Sequence, residues 1–276
     1  MIFETHAHYD DEAFDEDRDE LIPRLYEEGI TRVVNISVNR KTCEDTLRLM
    51  EKYPFIYGTL GFHPSDCADF DETQYEWMLD TARKNEKIVA IGEIGLDYHY
   101  LEPMKAPDTV FYPDIPLNEL YPEDPDKALQ KRVFIRQLEL AKELSLPVVI
   151  HSRDAAKDTM DIIKEHGRGL TGVIHCYSYH TEDALQYIRL GFNIGVGGVV
   201  TYKNAHKLKE VVERIPIENI VIETDCPYLS PEPFRGKRNS SMNLPYIIQK
   251  IAELKGITMK EAEDITYGNA VMMYRL

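Results

Sequence analysis

Short apolar segments alternate with longer amphipathic segments along almost the whole chain. The apolar segments are bounded by turn-forming residues, as expected of short buried strands. They cover residues 1–6, 31–37, 55–61, 87–94, 147–151, 171–175, 192–197 and 219–224. Elsewhere, apolar residues recur at helical spacing within charged segments, which predicts helices. The predicted helices cover residues 18–28, 41–52, 72–86, 126–145, 154–166, 181–190, 205–214, 244–255 and 259–273.

This alternation predicts an α/β fold built on parallel strands. Eight such strands in a chain of 276 residues favour a single (β/α)8 TIM-type barrel, either regular or distorted. A doubly wound open sheet is the alternative. Because no linker or low-complexity tract divides the sequence, we expect one domain over residues 1–276.

One predicted connection, residues 99–125 after the fourth strand, is much longer than the others. Connections in α/β units usually have about 2–6 residues. Six prolines and several aromatic residues occupy this insertion, and proline limits the conformations open to a free chain. Loops at the carboxyl ends of barrel strands surround the active site. We therefore predict an ordered cover over one side of the site, and the alternative is a neutral insertion.

Composition and charge restrict the class of protein. With 43% hydrophobic and 29% charged residues the chain can bury a globular core. The formal net charge of −16 argues against binding nucleic acid through bulk surface charge, so a polyanionic substrate needs a locally positive site. No apolar run reaches the about 18 residues of a membrane helix, and no secretory signal is visible. We expect a cytoplasmic protein without a membrane partner, and its four cysteines, which form no C-x-x-C pair, to be free thiols.

Potential metal ligands stand at the ends of the predicted strands. In the first segment, THAHYD, His6 and His8 are two residues apart, so an extended strand would direct both imidazoles to one face. The other strand ends carry His63 in GFHP, Glu93 in GEIG, His151 in VIHSRD, His175 in VIHC and Asp225 in IETD. Since a parallel barrel brings the carboxyl ends of all its strands to one face, these side chains are predicted to meet there.

The six residues His6, His8, Glu93, His151, His175 and Asp225 are more ligands than one catalytic ion keeps. Imidazole and carboxylate ligands suit zinc, manganese and similar ions. We therefore expect two divalent ions, Mg, Mn or Zn, with Glu93 as a bridging carboxylate. Such pairs activate water for in-line displacement at phosphorus.

The chain resembles the TatD family of metal-dependent deoxyribonucleases, which have amidohydrolase-like barrels. The matching stretches are THAHYD, GFHP, AIGEIGLDY, VFIRQLELAKELSLPVVIHSRDA, GVIHCYS, GFNIGVGGVVTYKN, IETDCPYLSPEPFRGKRN and GNA. The resemblance implies that one ion is held by His6, His8, Glu93 and Asp225, and the other by Glu93, His151 and His175. It also implies that His63, Arg153, Arg235, Lys237 and Arg238 face substrate phosphates.

On this resemblance, the expected activity is exonuclease-type cleavage of DNA, single-stranded or from an end, with Asp225, Glu93 and His63 as catalytic residues. Asp225 would be both a ligand and a proton acceptor. Two alternatives stay open: the same site could hydrolyse an aminoacyl-tRNA ester or a cyclic amide, or the protein could bind metal without turnover. No lysine stands where a carboxylated bridging lysine would be needed, which favours a Glu-bridged phosphodiesterase. The sequence carries no signal for an oligomeric state.

Overall fold

The computed structural model describes residues 1–99 and 127–276, which form a parallel sheet curled into a nearly closed barrel. The strand order in the sheet follows the order in the chain, which confirms the predicted barrel and shows that the doubly wound alternative is wrong. The strands are β1 Ile2–Ala7, β2 Ile30–Asn35, β3 Ile56–Leu60, β4 Ile88–Asp97, β5 Val148–Arg153, β6 Gly172–Ile174, β7 Phe192–Val196 and β8 Ile220–Ile222. The predicted cover, except for His99, lies outside the described residues.

The barrel closes between β1 and the segment that follows β8. The backbone N–H of Asp225 donates to the carbonyl of His6 at 3.0 Å, and the N–H of His8 donates to the carbonyl of Cys226 at 2.9 Å. Ala7 and Cys226 form an isolated parallel bridge. These bonds fix Asp225 beside the two histidines of β1, although more than two hundred residues separate them in sequence.

Helices cover the outside of the barrel at the predicted places. They are α1 Arg18–Glu27, α2 Arg40–Lys52, α3 Glu72–Lys84, α4 Lys127–Leu144, α5 Ala156–His166, α6 Thr181–Arg189, α7 His206–Arg214, α8 Leu244–Lys255 and α9 Met259–Tyr274. The local sequence explains where two of these helices begin. Asn39 with Thr42 forms a capping box at the start of α2, and Thr258 with Glu261 forms one at the start of α9. In the described ranges, every helix is too short or too polar to cross a bilayer.

The last helix, α9, packs against the amino ends of the strands. Its Asn269 side chain donates to the carbonyls of Ile217 and Ile220 at 2.7 Å, and the hydroxyl of Tyr274 donates to the carbonyl of Thr5 at 2.9 Å. All these groups are buried or partly buried, so their hydrogen bonds satisfy backbone carbonyls that are largely shielded from water. The opposite end of the barrel remains for the functional site.

Strand β4 is longer than predicted, and the difference matters for the site. The prediction ended this strand at residue 94, whereas it continues to Asp97 and pairs Gly95 with His151. A Cβ atom at Gly95 would lie 2.0 Å from the carbonyl oxygen of His151, so only glycine permits this approach of the two backbones. The extension keeps Asp97 next to β5.

Candidate metal centre

Four side chains form the first group of donor atoms, which we call the Asp225 cluster: His6, His8, Asp225 and Oε2 of Glu93. The Nε2 atoms of His6 and His8 lie 3.2 Å apart, as the spacing of the two residues predicted. Asp225 Oδ1 lies 3.5 Å from Nε2 of His6 and 3.4 Å from Nε2 of His8. Glu93 Oε2 lies 3.4 Å from Nε2 of His6 and 3.9 Å from Nε2 of His8.

The second group, which we call the His151 cluster, consists of His151, His175 and Oε1 of Glu93. Glu93 Oε1 lies 2.8 Å from Nδ1 of His151 and 2.7 Å from Nε2 of His175. The two histidine nitrogens lie 3.1 Å apart. The structure therefore brings all six predicted ligands together, and Glu93 contributes one oxygen to each cluster.

The donor set fits divalent ions in its chemistry and its spacing. Four ligands at about 2.1 Å from a tetrahedral ion lie about 3.4 Å from one another, and the measured separations in the Asp225 cluster scatter around this value. The donor atoms of the His151 cluster lie closer together, at hydrogen-bond distances from one another. Imidazole nitrogens and carboxylate oxygens are ligands that zinc and manganese accept.

Burial and neighbouring charges set the protonation of the ligands. Burial favours the neutral form of Glu93, but His175, His151 and His6 outweigh it and hold the pKa of Glu93 well below its usual value. Burial opposes a charge on His8, yet Asp225 and Glu93 raise the pKa of His8 to about 9. Burial lowers the pKa of His6 to about 4. Each coordinating nitrogen must be free of its proton, so metal binding here is coupled to proton release.

A cavity of about 410 Å³ opens over both clusters. Its walls include, besides the ligands, the residues Asp10, Asp11, Glu12, Lys41, Thr42, Ser65, Asp66 and Tyr228. Among the described residues of this lining, Lys41 is the one lysine or arginine, and its amine pairs with Asp45 at 2.9 Å. A polyanion could therefore enter this acidic cavity only with bound cations to offset the charge.

His63 lies in the same cavity, as predicted. Its Nδ1 accepts a hydrogen bond from the N–H of Ser65 at 3.2 Å, and its Nε2 lies 3.8 Å from Glu93 Oε1. Burial, with a further contribution from His151, lowers the pKa of His63 to about 3. In the tautomer whose Nδ1 accepts from the Ser65 N–H, the neutral ring carries its proton on Nε2, which can donate to a ligand in the cavity.

The predicted phosphate-binding cations lie outside the cavity lining. Arg238 forms two hydrogen bonds to Asp17, at 2.7 and 2.6 Å, and one to the carbonyl of Ala13. Arg235 stacks over the ring of Tyr202 with its guanidinium carbon 4.5 Å from the ring centre. Arg153, the last residue of β5, and Lys237 are exposed.

Sequence reasoning missed Asp97, which supports the His151 cluster. Asp97 Oδ2 lies 3.0 Å from Nε2 of His151, the nitrogen that does not face Glu93. Carboxylates that accept this second imidazole proton orient histidine ligands. The sequence contains the signal, since Asp97 stands in GLDY two residues after Gly95. It was missed because the predicted strand ended too early to place Asp97 beside His151.

Tyr228 is a second functional candidate that the sequence did not single out. Tyr228 is 56% exposed and lines the cavity, and its hydroxyl donates to Asp11 Oδ2 at 2.9 Å. This hydrogen bond holds an aromatic face at the rim of the metal site.

Comparison with known proteins relates the chain to one family. The family model for TatD related DNase matches residues 3–275. The uncharacterized metal-dependent hydrolase YabD of Bacillus subtilis strain 168 is 41% identical over 277 residues, which cover 100% of both chains. The 3'-5' ssDNA/RNA exonuclease TatD of Escherichia fergusonii is 30% identical over 261 residues, 92% of each chain. The crystal structure of YjjV, a TatD homologue from Escherichia coli K12, is 26% identical with a TM-score of 0.84, and the match covers 100% of this chain and 98% of that one.

Proposed function

Because this chain belongs to the TatD related DNase family and is a metal-dependent hydrolase, we propose that it cleaves phosphodiester bonds at an end of single-stranded nucleic acid. The observation that carries the proposal is Glu93, whose two oxygens each face a separate set of histidines. A carboxylate in this position can bridge two divalent ions, Mg, Mn or Zn. The relative from E. fergusonii, named as a 3'-5' ssDNA/RNA exonuclease, supports the choice of substrate.

The proposed ligands are His6, His8, Asp225 and Glu93 for one ion, and Glu93, His151 and His175 for the other. When bound, such ions lower the pKa of water and offset the charge that develops on phosphate oxygens. The protein residues supply orientation and proton transfer. Burial raises the pKa of Asp225, but His8 and His6 outweigh this and lower it, so the carboxylate is ionised at neutral pH. We propose that Asp225 accepts the proton of the attacking water, and that Nε2–H of His63 donates to a phosphate oxygen.

The acidic wall of the cavity supports cleavage near an end of a strand. Asp10, Asp11 and Glu12 line one side, and their carboxylates repel a continuing phosphate backbone there. Tyr228 stands on this same lining, where its exposed ring can stack on a terminal base. We propose that phosphates further along the strand contact Arg153, Arg235 and Lys237 outside the cavity. Arg238 is paired with Asp17 at 2.6 Å, and this exposed ion pair would have to open for a phosphate contact.

The proposed activity can be tested with protein stripped of metal and reloaded with Mn2+ or Zn2+. The substrates are end-labelled single-stranded DNA, duplex DNA, an aminoacylated tRNA and a cyclic amide. We expect stepwise loss of terminal nucleotides from single-stranded DNA, slower attack on duplex, and no turnover after chelation. Asp225→Asn protein purified in parallel controls for contaminating nucleases. Turnover of the ester or amide with intact DNA would contradict the proposal.

A further inference from the structure

Beneath the two clusters, three buried residues each carry a polar atom without a hydrogen-bond partner in the described part of the chain. These atoms are Nδ1 of His6, Nδ1 of His175 and Oε2 of Glu223. All three residues are buried, and a donor atom of each lies within 4.8 Å of the others. The rings of His6 and His175 stack with centres 4.1 Å apart and an interplanar angle of 12°. Buried polar atoms without partners are rare in folded proteins, so this group calls for an explanation.

The proposed metal ligation increases the need of the two Nδ1 atoms for hydrogen-bond acceptors. Both histidines direct Nε2 at Glu93, with His6 in the Asp225 cluster and His175 in the His151 cluster. If Nε2 binds an ion, the proton of each neutral ring must reside on Nδ1. Two N–H donors are then buried together, and each is unfavourable unless an acceptor is near.

Glu223 is placed to supply that acceptor. Its Oε1 accepts from the backbone N–H of Cys176 at 2.5 Å and lies 3.9 Å from Nδ1 of His175. Its carboxylate rests on Gly195 of β7, where an added Cβ would lie 2.6 Å from Oε2. The absent side chain at Gly195 therefore makes the space that Glu223 occupies.

We propose that Glu223 is a positioning residue that orients one histidine ligand of each cluster through a single buried water. Because a donor atom of each residue lies within 4.8 Å of the others, one water can lie within about 2.8 Å of all three, which is a hydrogen-bond distance. The water would accept from both Nδ1–H groups and donate to Oε2 of Glu223, and three partners are typical of a buried water. This inference rests on the proposed ligand assignment. Its consequence is that a residue touching neither ion controls the affinity of both.

The test compares metal affinity in Glu223→Gln, Gly195→Ala and wild-type protein by chelator competition with Zn2+. Loss of an outer carboxylate typically weakens metal binding by about 10–100-fold, and we expect losses in this range for both ions in both variants. In Gly195→Ala the added methyl group displaces the Glu223 carboxylate by steric contact. This variant therefore tests the inference if Glu223→Gln folds poorly. At saturating metal, kcat should recover to within about threefold of wild type, as expected of a residue that orients ligands without touching the substrate.

Glu4→Gln provides a matched control, since Glu4 is another fully buried carboxylate of the barrel. Its oxygens accept from the backbone N–H groups of His6 and Thr224 and from the hydroxyls of Thr224 and Ser241, but from no imidazole. We expect Glu4→Gln to lower the melting temperature and to leave zinc affinity within about threefold.

A high-resolution structure of the zinc-loaded protein gives a second readout. We expect a water within hydrogen-bond distance of both Nδ1 atoms and of Glu223. Unchanged zinc affinity in Glu223→Gln, or no water at this position while two ions are bound, would overturn the positioning role alone. Wild-type protein that binds no zinc would instead overturn the ligand assignment, and this inference with it.

Discussion

The two clusters of the metal centre share Glu93 but differ in how far apart their donor atoms stand. In the Asp225 cluster the donor atoms are 3.2 to 3.9 Å apart, which leaves room for an ion at their centre. In the His151 cluster they are 2.7 to 3.1 Å apart, so the imidazoles are hydrogen-bonded to the carboxylate. One half of the site therefore has the ligand spacing of a tetrahedral ion and is preformed for one, whereas the other must open by several tenths of an ångström to admit such an ion.

The surroundings of the clusters explain this difference. Backbone bonds between the β8 segment and β1 fix Asp225, and its φ of 54° is a left-handed value that few non-glycine residues adopt. His151 instead lies between two carboxylates, Glu93 and Asp97. Burial opposes its protonation, but these carboxylates raise the pKa of His151 to about 9, as Asp225 and Glu93 do for His8, so the ligand spacing and not the protonation separates the two clusters. We expect the Asp225 cluster to bind the first ion and the His151 cluster to bind a second ion more weakly.

Glu93→Gln should have the largest effect, because it removes charge from both clusters at once. We expect metal content to fall from two ions per chain towards zero and turnover to fall by about 10⁴-fold or more. Elemental analysis and steady-state kinetics check this. Two ions bound with unchanged affinity would show that Glu93 does not join the clusters.

Asp225→Asn should damage only the preformed cluster. Asparagine keeps an oxygen for the ion but loses the charge and the ability to accept a proton, so turnover should fall by about 10²–10⁴-fold. Metal analysis should show that the ion at His151 and His175 remains. Turnover within threefold of wild type, in protein of verified metal content, would remove Asp225 from the mechanism.

Asp97→Asn should damage only the contracted cluster, through the orientation of His151. We expect the weaker ion to lose about 10–100-fold in affinity and the stronger ion to be unchanged. Asp154→Asn is the matched control, because Asp154 pairs with a histidine at 2.8 Å, but with His99, which is not a proposed ligand. Equal losses of affinity for both ions in Asp97→Asn would mean that the two clusters do not bind their ions independently.

Tyr228→Ala should have the smallest effect, since it leaves both clusters intact. Stacking on a base contributes about 1–3 kcal/mol, so we expect kcat/KM on single-stranded DNA to fall at least about fivefold. A substrate with an abasic end should not distinguish Tyr228→Ala from wild type, and Tyr228→Phe, which keeps the ring but loses the hydrogen bond to Asp11, should lose less than Tyr228→Ala. Tyr26 is also 56% exposed but does not line the cavity. Tyr26→Ala should therefore leave kcat/KM on both substrates unchanged. The same loss on both substrates would rule out stacking.

The sequence predicted the barrel and the meeting of its six donor side chains because both follow from a repeated local pattern. Each of these residues stands at a strand end, and parallel strands deliver their carboxyl ends to one face. The supporting residues depend on contacts between strands. Glu223 needs the bare backbone of Gly195 on the neighbouring strand, and Arg238 is held by Asp17, 221 residues earlier in the chain. Such pairings have no local signature, so the sequence did not show that Arg238, predicted to face substrate phosphates, pairs with Asp17.

Anomalous diffraction from crystals soaked in manganese tests the central claim, that one carboxylate joins a preformed and a contracted ion site. With less than one equivalent of Mn2+ we expect a single peak among His6, His8, Asp225 and Glu93 Oε2. At saturation a second peak should arise beside His151, His175 and Glu93 Oε1, about 3.5–4 Å from the first. A first peak at the His151 cluster, or a single peak at saturation, would contradict the account.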